Sequence, residues 1–329
     1  MLFTSNADRS RLCVLLASAA FVLFQWLVVG LIAAHVVMVA LFLLLFFAGD
    51  ASRRLAVALL PFVAFEVSYD WMRLCPNYTV SAVDVGGIYA AEVSLFGVTA
   101  ADGTRQTLCD YFFTHHTPLA DLLAGIAYLC WVPGPMAVGL WLYFTGRRRE
   151  YLHFAMAFLV VNWLGFAVYY IHPAAPPWYV IEHGFRLIEG TGGSAAGLSR
   201  FDELVGLPVF SSIYVNNSNI FAAVPSLHAA YMLVATVYAA RACAVPSSVR
   251  AARPSPLIVV VCALVTVGIW LAAVYSCHHY VIDVLLGIAT AVCGVCLFEC
   301  VVMRIPPVGR FMAAYESYVS QHYSCNLEL

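Results

Sequence analysis

Lysine is absent from this 329-residue chain, and all 16 of its basic side chains are arginine. That excludes a Schiff-base nucleophile and a P-loop phosphate site, both of which need a lysine amine. Charge of either sign is scarce, at 10% of residues against about 25% in a soluble domain. So few charges cannot cover the surface of a soluble fold this large. The 63% hydrophobic composition and the mean hydropathy of +0.87 place the chain in a membrane. The net charge of −2 carries no signal for nucleic acid, and no basic patch is present to track a phosphate backbone. No internal repeat, low-complexity tract or soluble domain is visible.

The 11 cysteines are scattered. Cys13, Cys130, Cys262, Cys293, Cys296 and Cys300 sit in apolar stretches and read as small packing residues. Cys293 and Cys296 lie inside one such stretch, which argues against a redox or zinc motif. Cys75 and Cys109 share one polar loop and are either a disulfide or two free thiols.

A membrane span needs roughly 20 apolar residues. The first apolar tract, about 12–49, is too long for one helix, and a turn between Gly30 and His35 makes it a hairpin. A signal peptide is the rival reading, because Arg9 and Arg11 precede the tract, but the tract far exceeds an apolar region of about 7–15 residues. Further spans are expected at about 55–73, 119–144, 152–171, 223–243, 256–276 and 281–303. With eight spans, Arg9 and Arg11, Arg53 and Arg54, Arg147–Arg149, Arg241, Arg250 and Arg253, and Arg304 and Arg310 all fall on one side, which the positive-inside rule makes cytoplasmic. The expected fold is therefore an all-α polytopic membrane bundle of about eight transmembrane helices. Residues 1–50 form an amino-terminal hairpin. Residues 51–305 form a six-helix core with outer loops 74–118 and 172–222. Residues 306–329 form a cytoplasmic tail with a helical pattern.

Three polar clusters interrupt the apolar chain, all on the outer side: His172-Pro173 with Ala175-Pro176-Pro177-Trp178, then Pro225-Ser226-Leu227-His228, then His278-His279-Tyr280 with Asp283. His279 and Asp283 are four apart and share a face if helical. The carboxylate would fix the imidazole tautomer and leave the other nitrogen as a nucleophile. The bland alternative is a capping pair, but ionisable groups near a membrane bundle are costly and usually functional. Ser226 is a candidate N-cap. The free N–H groups after it suit a phosphate, with His228 beside them as general acid.

Together these residues resemble the type 2 phosphatidic acid phosphatase superfamily, whose second motif is Pro-Ser-x-His and whose third ends in His-x-x-x-Asp, about 50 residues later and two spans away. The resemblance covers about 55–303. It implies a six-helix catalytic core in which His279 becomes phosphohistidine, Asp283 orients it, and His228 protonates the leaving group and then activates the acceptor. The chain departs from that family where its first motif carries Lys and Arg-Pro, since His172-Pro173 stands there. Ala272 and Ala273 stand where the third motif usually has Ser-Arg. With Ala175-Pro176-Pro177-Trp178, Ser94-Leu95-Phe96-Gly97, Asp121–Gly125 and Phe201–Leu204, these departures look like the inositol phosphorylceramide synthase branch, its bacterial members in particular. The resemblance implies transfer of phosphoinositol from phosphatidylinositol to ceramide or dihydroceramide, lipid substrates in a bilayer. It also implies a site on the periplasmic face of a bacterial inner membrane, or a luminal site in a Golgi membrane if the source is eukaryotic. A lipid phosphatase of the same superfamily and a non-catalytic transporter or scaffold are the alternatives.

The missing cations need a substitute. Arg73, Arg105, Arg186 and Arg200 are the outer arginines, with Arg73 favoured unless it simply pairs with Asp70. The expected substrate-binding set is Ser226, Arg73, His172, His278 and Arg200; His278 either contacts phosphate or sits in the interface. Asp84, Glu92, Asp110, Asp202 and Glu203 either bind inositol hydroxyls or solvate the loops. His115 and His116 lack further ligands at metal spacing, so no metal and no cofactor are expected. Oligomeric state is not legible.

Overall fold

Nearly every apolar tract becomes helix in the computed structural model, which describes residues 7–188, 190–215, 219–244 and 255–321. Arg250 and Arg253, used above for orientation, and the end of the tail beyond 321 lie outside the described residues. The helices are α1 (Ala7–Phe24), α2 (Ala33–Ala48), α3 (Asp50–Ala58), α4 (Leu60–Trp71), α5 (Gly87–Phe96), α6 (Leu108–Thr114), α7 (Pro118–Leu129), α8 (Pro133–Phe144), α9 (Arg148–Ile171), α10 (Pro177–His183), α11 (Ser199–Val205), α12 (Val209–Tyr214), α13 (Leu227–Ala244), α14 (Leu257–Tyr275), α15 (Val281–Cys300) and α16 (Pro306–Ser320). The described β-structure is one two-stranded ribbon, Val98–Thr99 with Arg105–Gln106, and two isolated bridges.

The all-α membrane architecture is as expected, with a difference in the spans. Among the described residues five helical stretches are long and apolar enough to cross a bilayer, or seven if each of two bent pairs is one span. Ala33–Ala48, at 16 residues, is shorter. The expected spans 55–73 and 119–144 are the bent ones, by 43° between α3 and α4 and 42° between α7 and α8. Proline explains the bends: Pro61 opens α4, and Pro133 and Pro135 open α8. Each lacks the N–H that would continue the preceding helix, and its ring crowds the carbonyl four residues back.

The chain forms two compact units, 1–74 with 304–329, and 75–303. In the first, α1 and α2 pack against one another beyond a break at Gly30, whose φ of +108° suits glycine. Asp70 gathers the polar groups of this unit. Its carboxylate accepts from Gln25 Nε2 (3.0 Å) and pairs with His35 Nε2 (3.1 Å) and Arg73 Nη2 (2.7 Å). Arg73 thus takes the Asp70 pairing weighed above. In this unit α16 packs on α3, and Tyr315 donates to the Val57 carbonyl at 2.6 Å.

In the second unit α13 packs against α8, α9, α14 and α15. Small residues allow the close approach: Ala229, Ala230, Ala235, Ala239 and Ala242 are fully buried. At the far end from the polar clusters, Glu299 of α15 accepts from Tyr238 (2.7 Å) and Arg241 (2.5 Å) of α13 and contacts His153 of α9 (2.9 Å). That network ties three helices about 30 Å along α15 from His279. Loops 74–118 and 172–222 are not structureless. They carry α5, α6 and α10–α12 and are stitched to one another through backbone bridges Asp84–Ala174–Ala222. Buried Asn77 adds to this by donating to both the Tyr169 and Phe221 carbonyls at 2.9 Å.

Candidate active site

Two local motifs build the turn that carries His279. At the end of α14, Cys277 has a φ of +60°, His278 N donates to the Ala273 carbonyl (3.0 Å) and Cys277 N to that of Val274 (3.1 Å). This is a Schellman stop, with cysteine at the position that usually holds glycine. The next helix then begins at once. Tyr280 is the N-cap of α15, and Asp283 at N3 reaches back so that Oδ2 accepts from Tyr280 N at 2.8 Å. His279 therefore precedes the helix, and the expected shared helical face does not exist. Proximity to Asp283 comes from the capping geometry instead. His279 Nδ1 and Asp283 Oδ2 are 3.5 Å apart, longer than the hydrogen bond anticipated; the His279 ring also lies against the Ala223 carbonyl, and the buried Asp283 Oδ1 has no hydrogen-bond partner.

The other imidazole nitrogen meets His228: His279 Nε2 and His228 Nδ1 share one hydrogen bond at 3.1 Å. Residues 51 positions apart are brought together because α13 starts against the start of α15. Ser226 N donates to the Asp283 carbonyl at 3.0 Å. The Ser226 hydroxyl accepts from Ala229 N at 3.3 Å and is wholly buried, so it works as a helix cap. Gly287 permits the approach, since a Cβ there would lie 2.2 Å from the Ser226 carbonyl oxygen. Gly287→Ala is expected to push the two motif-bearing helix starts apart. It should cost about 1–3 kcal/mol of stability through overpacking and reduce turnover at least about tenfold through lost alignment. Gly192→Ala, in open space, is the control, and thermal melting with a turnover assay reads both.

Aromatic rings wall the pair. Trp131 meets His228 edge-on at 4.5 Å, and Tyr128 lies 5.4 Å from both His228 and His278. His278 is sandwiched between Tyr128 and Tyr214, with Nε2 3.0 Å from the Ala195 carbonyl. Burial pushes His279 down to about 4 and His278 down to about 3, so both rings are neutral at pH 7 and the His279 lone pair is available. Sequence reasoning missed this aromatic wall, because an aromatic in an apolar span looks like any other core residue.

The remaining predicted residues divide. Arg200 donates through Nε to Asp121 at 2.7 Å, lies over the Tyr275 ring, and has a buried Nη2 without a hydrogen-bond partner. Gly197 brings it to the turn, since a Cβ there would lie 2.9 Å from that Nη2 and 3.0 Å from the Ser276 backbone. A cavity of about 340 Å³ adjoins the turn, lined by Trp178, Glu182, Ser194, Gly197, Ser199 and Cys277 among others. His172 is 3.4 Å from Asp84 and half-exposed. Arg73 belongs to the other unit. Of the five acids considered for inositol, four serve the backbone or neighbouring hydroxyls. Asp84 caps α5, Asp110 caps α6 and accepts from Tyr89, Asp202 accepts from Phe210 N and Ser211 N, and Glu92 accepts from Val281 N and Ile282 N. Glu203 is exposed. The Cys75–Cys109 disulfide does not form. Both are free; the buried Cys109 thiol instead donates to the His279 carbonyl at 3.4 Å, and the Cys277 thiol donates to the Cys109 carbonyl at 3.3 Å. His115 stacks on Tyr111 at 4.2 Å, and His116 lies 3.3 Å from Asp121.

Comparison with known proteins follows the same lines. No solved structure matches. A phosphoinositol dihydroceramide synthase from Bacteroides thetaiotaomicron is 51% identical over 313 residues, 95% of this chain and 99% of that protein. An inositol phosphorylceramide synthase from Candida albicans is 26% identical, and a catalytic subunit of that synthase from Saccharomyces cerevisiae 28%, each over 69% of this chain. The chain spans about half the length of these two, 45% and 52%. The PAP2 superfamily model matches residues 104–297, which include both histidine motifs and more than half of the sequence, and the chain belongs to that superfamily.

Proposed function

We propose that this protein is a membrane phosphotransferase that moves phosphoinositol from phosphatidylinositol to ceramide or dihydroceramide and releases diacylglycerol. The observation that carries the reading is the His228–His279 contact at 3.1 Å, which sets a nucleophile and a proton carrier side by side. The extent of likeness to a phosphoinositol dihydroceramide synthase supports the choice of substrates.

His279 Nε2 attacks phosphorus, the P–N bond forms, and the bond to the glyceryl oxygen breaks. That oxygen takes a proton from His228, and diacylglycerol leaves. The ceramide hydroxyl then attacks phosphorus, loses its proton to His228, and the P–N bond breaks. In-line displacement holds nucleophile and leaving oxygen on opposite sides of phosphorus. Reacting atoms about 3–3.5 Å apart and an acid about 2.6–3.2 Å from the leaving oxygen put the two nitrogens roughly 6 Å or more apart. The His228–His279 hydrogen bond is therefore exchanged for substrate contacts during transfer. His279 then closes on Asp283, whose Oδ2 already lies 3.5 Å from Nδ1. Arg200 stands in for the missing lysine, its unpartnered Nη2 offered to the phosphodiester, and the 340 Å³ cavity has room for the cyclitol ring. Arginine placement supports a site on the non-cytoplasmic side, which is the periplasmic face if the membrane is a bacterial inner one and the lumen if it is a Golgi membrane.

The test is to incubate membranes carrying the protein with phosphatidylinositol and labelled ceramide and to identify products by mass spectrometry. Inositol phosphorylceramide with diacylglycerol is expected in equal amounts. Free inositol phosphate or inorganic phosphate without the ceramide product would replace the transferase with a phosphatase. No turnover of lipid phosphate would leave a non-catalytic lipid-binding protein.

A further inference from the structure

Glu92 belongs to no catalytic motif, yet it touches the two residues that follow Tyr280 at the start of α15. It lies on α5, in the outer loop, and is fully buried. Its carboxylate reaches across 189 positions: Oε1 accepts from Val281 N at 3.0 Å and Oε2 from Ile282 N at 3.1 Å. The first N–H groups of a helix have no partner within it. Here three successive ones, on Tyr280, Val281 and Ile282, are held by two carboxylates, Asp283 and Glu92. Asp283 thus has two duties, closing the turn through Oδ2 and facing His279. With the backbone clamped from outside, small movements of the Asp283 carboxylate and the His279 ring can bring them into hydrogen-bond contact while the turn stays in place.

We propose that Glu92 is a positioning residue for the nucleophile: it clamps the start of α15 so that Asp283 can orient His279. This rests on the reading of His279 as nucleophile given above. The clamp works as a carboxylate, because both oxygens must accept and the positive end of the α15 dipole favours negative charge there. Burial raises the Glu92 pKa, the two backbone N–H bonds lower it, and Asp283 raises it. Cys109 of α6 also faces Glu92.

Two substitutions approach the same bonds from opposite sides. Glu92→Gln keeps size and one acceptor but turns an NH₂ against one of the two backbone N–H groups. Val281→Pro deletes one donor at the first helical position, where proline is tolerated, after a Tyr280 backbone (φ −71°, ψ 163°) already suited to precede it. E92Q is expected to lower kcat about tenfold to a hundredfold, as misplacement of a reacting group does, with KM for both lipids within about twofold. V281P alone should lower kcat a few-fold. The double variant should recover from the E92Q level to that of V281P, because the deleted N–H is the one the amide opposes. The protein is assayed full-length in phospholipid nanodiscs, with melting curves to correct for folded fraction. Wild-type kcat in E92Q, a loss that merely follows folded fraction, or losses that multiply in the double variant would overturn the proposal. If E92Q does not fold, V281P decides alone, and unchanged kcat there overturns it. His279→Ala runs alongside: activity in that variant removes the nucleophile reading itself, independently of the Glu92 result.

Discussion

His279→Ala is expected to abolish transfer, lowering kcat by about 10⁴-fold to 10⁶-fold as loss of a covalent nucleophile does, while the protein folds and binds lipid. The ring sits in a turn set by backbone bonds, His278 N and His279 N to the Ala273 carbonyl, and by the cap on Tyr280 N, none of which uses the imidazole. Truncation therefore leaves the frame standing and removes the Nε2 that meets His228. Labelled donor should leave acid-labile label on the wild type and none on the variant. Because burial pulls His279 down to about 4, the nucleophile stays unprotonated across the neutral range and is lost only as pH falls through that value. The same depression makes acid destabilising. Between about pH 6.5 and 4 the unfolded chain binds the proton that the folded ring refuses, so this group's contribution to stability declines as pH drops through that window. A variant that kept its label, or more than about one per cent of wild-type turnover, would move the nucleophile elsewhere.

His228→Gln is expected to cost about a hundredfold to ten-thousandfold in turnover, the usual contribution of a general acid–base group. Its signature separates it from His279. A phosphodiester whose leaving alcohol is already acidic, such as a nitrophenyl phosphoinositol, needs no proton from His228, so the first half-reaction should recover in H228Q and stay dead in H279A. The second half-reaction still needs a base for the ceramide hydroxyl, so the covalent adduct should accumulate in H228Q. Because His228 packs against Trp131 and Tyr128, glutamine is preferred to alanine, which would leave a cavity beside His279. No leaving-group rescue and no adduct would show that His228 acts by shaping the site rather than by carrying protons.

The sequence by itself determined the solvent. Ten per cent charge and long apolar runs leave no soluble solution. It singled out the candidate site residues too, because His and Asp are expensive beside lipid and so stand out against an apolar background. Arginine spacing, a sum over loops, needs no knowledge of contacts. What it could not carry was anything dependent on which atoms meet. The four-residue spacing of His279 and Asp283 suggested a helical face. The structure uses a Schellman stop and a capping box, and the stop was invisible because cysteine, not glycine, occupies Cys277. Proline bends at Pro61 and Pro133 fall inside stretches whose hydropathy is uninterrupted. Acids that looked like sugar ligands turned out to satisfy helix ends, since a loop folded against a bundle must find acceptors for its own buried amides. The two histidine motifs came together only in three dimensions: residues 51 apart share a 3.1 Å hydrogen bond because Gly287 lets α15 lie against Ser226, and no periodicity along the chain encodes that contact.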